Sequence, residues 1–124
     1  MRILISLLVA SLLIACTTQG RLHYITAEGV HKSACETEYF GAPAVDKYAV
    51  EYFLSYCAQQ AVAQGHTVVN AALLTLDLSI PPSPNGKPWT FELATKRYQA
   101  KQLTEKEYGY IIAHLDLALS QASR

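Results

Sequence analysis

At 124 residues and 13.6 kDa, the chain has room for one hydrophobic core and not for two. Ten Lys+Arg balance ten Asp+Glu, so no cationic surplus exists to neutralise a phosphate backbone, and nucleic acid is excluded as a partner. With 51% apolar and 16% charged residues, the composition lies far from that of disordered chains, and a folded unit is expected.

Arg2 gives a positive start, and Ile3 to Ala15 follows without a charge. As a helix this run would span roughly 20 Å, against about 30 Å for the hydrocarbon core of a bilayer, so it is short for a transmembrane span. A positive start, a short apolar stretch and a small residue at its end form the pattern of a secretory signal peptide over residues 1–15; the competing reading is an uncleaved anchor. Leu13-Ile14-Ala15-Cys16 resembles the lipobox of bacterial lipoproteins. The resemblance implies removal of residues 1–15, a thioether-linked diacylglycerol on Cys16 and acylation of the new amino terminus. Two or more acyl chains anchor stably where a single one holds only marginally. That family commonly uses an aspartate after the cysteine for retention in the inner membrane. This chain has Thr17, which in a double-membraned bacterium implies the outer membrane, facing the periplasm. Residues 16–21, polar and containing Gly20, read as a short lipidated tether, and residues 22–124 as a single small domain.

Residues 22–31 (L-H-Y-I-T-A-E-G-V-H) alternate in part and contain β-branched and aromatic side chains, which predicts a short strand. Ser33-Ala34-Cys35-Glu36 fits a capping box and predicts one helical turn. Pro43 at a first-turn position, then Val45, Ala49, Tyr52, Phe53 and Tyr56 at helical spacing, with Gly65 as a stop, predict a helix over 44–64. Once Cys16 is set aside for lipid, Cys35 and Cys57 remain as an even pair in a chain sent to an oxidising space, and a disulfide is expected between them. A metal site or a reactive thiol is the competing reading, but no C-x-x-C with matching histidines is present. The bridge would staple the segment before the helix to the middle of the helix.

Residues 67–80 fit two templates: Leu74, Leu76, Leu78 and Ile80 alternate as in a strand, while Val69, Leu73 and Leu76 also suit a helix. The second half is read as a strand. Four prolines between Pro81 and Pro88 end any regular element. The region 89–122 reads as a helical hairpin: a short amphipathic helix to Lys101, a turn at Gln102-Leu103, and a second helix started by the capping box Thr104-Glu105-Lys106-Glu107 with the stripe Tyr108, Ile111, Ile112, Leu115, Ala118, Ala122. Leu93 to Leu119, with its L-T-E-K-E-Y turn, resembles the short C-terminal (SHOCT-like) helical hairpin of bacterial envelope proteins. The resemblance implies an oligomerisation or docking element, and it departs from that family in having Lys101-Gln102 where a glycine is usual. The expected fold class is therefore α+β and helix-rich, with a disulfide-stapled N-terminal half, a long helix and a C-terminal helical hairpin.

His23, His31, His66 and His114 form no H-x-x-x-H or H-E-x-x-H, so no metal site is expected. His23 and His31 could join Glu36 and Glu38 near one edge, but scattered polar residues explain them more simply. No G-x-S-x-G or S-x-x-K is present and no cysteine is left over, so no catalytic residue and no cofactor are expected. Glu105 and Glu107 serve the helix start, and Asp116 reads as part of a solvated face. Tyr48, Tyr52 and Tyr56, spaced by four, line one ridge of the long helix and suit either a core margin or a binding surface. Trp89 at the proline-rich bend is a second candidate. These four side chains form the candidate binding surface. The expected function is a non-enzymatic envelope module, held to the membrane by its N-terminal lipid and engaging another envelope protein. The alternative is a binder of cell-wall glycan or a small amphiphile.

Overall fold

The computed structural model describes residues 17–122; residues 1–15, expected as a signal peptide, and Cys16 lie outside the described residues. In chain order the elements are β1 (Thr17–Ile25), β2 (His31–Phe40), α1 (Pro43–Ala63), β3 (Thr67–Val68), α2 (Phe91–Gln99) and α3 (Glu105–Ala122), with single 3-10 turns at Ala71–Leu74 and Pro84–Gly86. The fold is α+β and helix-rich, as expected. Its sheet is antiparallel in the order β2-β1-β3. Among the described residues no helix is long and apolar enough to cross a membrane.

The N-terminal half departs from its expected form. Thr17–Arg21, expected as a tether, is the first half of β1, paired from Thr17↔Phe40 through Gly20↔Thr37, so these residues belong to the sheet. The strand expected over 22–31 ends at Ile25, and residues 26–30 form the turn into β2, closed by Thr26 N–H to the Val30 carbonyl at 2.9 Å. The helical turn expected at Ser33–Glu36 lies within β2. A capping box needs an amphipathic helix to follow it, whereas here β1 offers a full backbone ladder, and pairing outweighs a local cap.

That ladder contains a bulge. Gly20 pairs with Thr37 and Leu22 with Ala34, so Arg21 faces two residues, Cys35 and Glu36, and Cys35 takes up the irregularity with φ +54°. The extra residue re-aims the Cys35 side chain, which is bonded to Cys57 on α1 with a Cα–Cα distance of 6.3 Å. The expected staple is present.

α1 is the central element and is buried on two sides. Against the sheet it packs Cys57, Ala58 and Ala61 with Leu22 and Val68; against α3 it packs Ala49 and Tyr52 with Tyr110, Ala113 and Leu117. Strand β1 approaches so closely at Gly20 that a Cβ there would stand 2.8 Å from Leu54 Cδ1. The helix stops at Gly65 as expected. Gly65 N–H donates to the Val62 carbonyl at 2.9 Å, His66 N–H to that of Ala61 at 3.0 Å, and Gly65 has φ +88°, which together make a Schellman motif.

The strand expected in the second half of 67–80 does not form. Ser55 Oγ donates to the Leu73 carbonyl at 2.6 Å, and residues 75–83 then run on without a ladder. Leu76, Leu78 and Ile80 are half-buried while Thr75, Asp77 and Ser79 are exposed, and Leu78 and Ile80 pack against the α1–α3 cluster. The alternation is real, but its partner is a pair of helices, which offer apolar side chains and no free backbone edge.

The C-terminal hairpin forms with a later start, Thr90 capping α2 through Leu93 N–H at 3.1 Å. Tyr98 and Tyr108 rings meet edge-on at 4.4 Å, and Thr95 and Tyr108 hydroxyls share a hydrogen bond of 2.8 Å. The capping box of α3 is complete, with Glu107 N–H donating to Thr104 Oγ1 and Thr104 N–H to Glu107 Oε1. The stripe is rotated from its expected position: Gly109, Tyr110, Ile111, Ala113 and Leu117 are buried, Tyr108, Ile112 and Leu115 are half-buried and Ala118 is exposed. The Ala122 side chain lies outside the described residues. Lys101 ends α2 with φ +60°, its N–H donating to the Tyr98 carbonyl and that of Gln102 to Arg97. A lysine in this left-handed position carries a cost that glycine avoids. Lys101→Gly is expected to raise stability by about 0.5–1 kcal/mol, measured as a higher urea midpoint with an unchanged slope.

Candidate functional site

The four aromatic residues singled out in the sequence do not form one exposed surface. Tyr52 is 7% exposed and sits between α1 and α3, its ring edge-on to Tyr110 at 5.2 Å and its hydroxyl 3.0 Å from His114 Nδ1. Tyr48 and Tyr56 pack at the margin of the same cluster, with Lys47 Nζ 4.9 Å above the Tyr48 ring. Trp89 is elsewhere, half-buried at the proline-rich bend with its indole N–H donating to the Pro81 carbonyl at 2.8 Å. The ridge is thus a core margin: α3 covers it, and periodicity along one helix cannot reveal which neighbour will do so. Neither the trough on the β1–β2 hairpin nor the apolar hollow beside residues 87–96 is lined by Tyr52, Tyr56 or Trp89.

The phenols of this interface report its dryness. Burial, and then the negative charge of Glu51, push the Tyr110 pKa up to about 12. Burial, followed by the neighbouring Tyr56, raises that of Tyr52. Tyr39 on β2 donates to Asp116 Oδ2 on α3 at 2.8 Å; burial first, then that carboxylate, holds its proton well above the usual phenol range. Asp116, expected on a solvated face, is therefore half-buried and ties the sheet to the last helix. Stability should fall at alkaline pH, because an unfolded tyrosine ionises near pH 10 while folded Tyr110 keeps its proton to about 12. The contribution is fully present below pH 10 and is lost as pH rises toward 12. Between about pH 9 and pH 11 the wild type should lose about 1 kcal/mol more than Tyr110→Phe in urea titrations.

The face of the β1–β2 hairpin turned away from α1 carries a feature the sequence did not single out. Gln19, Gly20, Arg21, His23, Glu36, Thr37 and Glu38 line a shallow polar trough of about 590 Å³, crossed by an Arg21–Glu36 ion pair. His23, Glu36 and Glu38 all line this trough but are spread along it, Glu38 opposite Gln19, and His31 lies at the far end of the hairpin opposite Ile25. The alternation Gln19, Arg21, His23 around Leu22 was the available signal, hidden by reading 16–21 as a tether. Among the described residues no cluster of His, Cys, Asp or Glu could hold a metal ion.

The trough lies close to the Thr17 end of the sheet. Thr17, the residue after Cys16, starts β1 and pairs with Phe40 at the end of β2. No protein family, curated protein or solved structure matches this chain.

Proposed function

We propose that the chain is a lipid-anchored bacterial envelope protein, attached through Cys16 to the outer membrane on its periplasmic side, that serves as a non-enzymatic structural or interaction module at the membrane surface. The observation that carries the reading is the junction of Leu13-Ile14-Ala15-Cys16 with a strand that starts at Thr17. A long flexible linker would let a domain sweep a wide volume. With strand already present at the residue after the cysteine, the domain is confined to within about its own diameter of the lipid, and its partner is a protein of the same surface. The Cys35–Cys57 disulfide supports an oxidising compartment.

The test is metabolic labelling of cells with radioactive palmitate, followed by the intact mass of the purified protein. The wild type should incorporate label and begin at a diacylglyceryl-modified, acylated Cys16. Cys16→Ala should lose all label and accumulate as the uncleaved precursor. An unlabelled full-length chain in the soluble fraction would overturn the proposal.

A further inference from the structure

We infer that the β2–α1 corner, led by Phe40, is a second membrane contact that inserts into the interfacial region of the bilayer beside the lipid anchor; this rests on the reading of Cys16 as lipidated. Phe40 is 77% exposed, the largest exposure of any large apolar side chain among the described residues. It is followed by Gly41, Ala42, Pro43 and Ala44, all exposed and none charged. The core has no use for this tip, since the buried clusters on either side of α1 include none of these five residues.

Register fixes where the tip lies. Phe40 is the direct antiparallel partner of Thr17, and such partners have Cα atoms about 4.5–5.5 Å apart with side chains on the same face of the sheet. Thr17 is one residue, about 3.8 Å, from Cys16. A lipid on that cysteine therefore brings the Phe40 ring to headgroup level, where an aromatic side chain is well placed. The turn at 26–30 is the opposite end of the hairpin, roughly 27 Å further along β1, and stands away from the bilayer. Glu38, on the same face two residues inward, lies about 7 Å behind the ring, clear of the hydrocarbon. The occupant of the tip is thus lipid. With two points of attachment, anchor and corner, the trough and α3 take a fixed orientation to the membrane.

The test uses the lipidated protein, purified in detergent and reconstituted into phosphatidylethanolamine and phosphatidylglycerol vesicles, with or without bromine on the acyl chains near the headgroup. Phe40→Trp adds one indole to Trp89, and the wild type supplies the Trp89 baseline. The added emission should be mostly lost in brominated vesicles. A variant whose lipid is confirmed by intact mass and which floats with the vesicles, yet whose added emission is unquenched, overturns the inference and leaves the anchor standing. A protein without lipid on Cys16 overturns both. In cells, benzoylphenylalanine at position 40 should yield a phospholipid adduct on irradiation. An adduct with a polypeptide, whether a partner or a second copy of this chain, assigns the corner to protein docking and overturns it as well.

Discussion

Gly109→Ala is expected to destabilise the fold although it places a better helix former in the second turn of α3. A Cβ at this position would stand 2.7 Å from the Val45 carbonyl oxygen, 2.8 Å from Tyr48 Cβ and 3.1 Å from the Ala49 nitrogen. Two of these are backbone atoms of α1, so no flexible side chain can swing aside, and the helices must separate. The added methyl gains about 1 kcal/mol of helix propensity, but overpacking a tight core costs about 1–3 kcal/mol and more where backbone must move. Separation would also loosen Tyr52 against Tyr110 and the fully buried Ala113. The net loss is expected near 2 kcal/mol, or about 10 °C in Tm for a domain of this size. Gly109→Val, with two further methyl groups in the same place, should cost more. Thermal unfolding by circular dichroism checks both; an alanine variant as stable as the wild type would show that α1 and α3 do not approach this closely.

Removal of the disulfide is the second large effect expected. Cys35 and Cys57 enclose a 22-residue separation, worth about 3 kcal/mol in the chain-entropy description, a substantial part of the 5–15 kcal/mol that holds a typical domain together. The bond joins an edge strand to the central helix, so its loss should be felt unevenly. β2 pairs with β1 alone in the sheet, and its bulge at Cys35 is held to α1 by the bond itself. In Cys35→Ala/Cys57→Ala, amides of residues 31–40 should therefore exchange faster than those of the α1–α3 cluster, which contains neither cysteine. Urea denaturation of oxidised and reduced wild type gives the global value, and hydrogen exchange gives its distribution. Equal midpoints would show that the bond adds nothing to stability.

Both effects bear on the proposed membrane role, because the corner at Phe40 and the Thr17 end of β1 are positioned by the β1–β2 ladder, which the disulfide and the Tyr39–Asp116 hydrogen bond fasten to the helices. Under that proposal, a domain weakened at these links would keep its attachment through Cys16. It would lose the fixed stance that the proposed strand-to-anchor connection is expected to confer.

The elements legible from the residues alone were those whose signals are local. Pro43 and Gly65 bounded α1, Thr104 and Glu107 started α3, and cysteine parity paired Cys35 with Cys57; each depends on a few neighbouring side chains or on counting. Tertiary structure decided the rest. Thr17–Gly20 became strand because Phe40 to Thr37 lies opposite it, and Leu74–Ile80 stayed unpaired because helices rather than a strand lie beside it. The tyrosine ridge went inward because Gly109 and Ala113 let α3 lie against it. A backbone ladder and a helix crossing are both contracts between segments far apart in the chain, and neither partner's own periodicity states where the other will be.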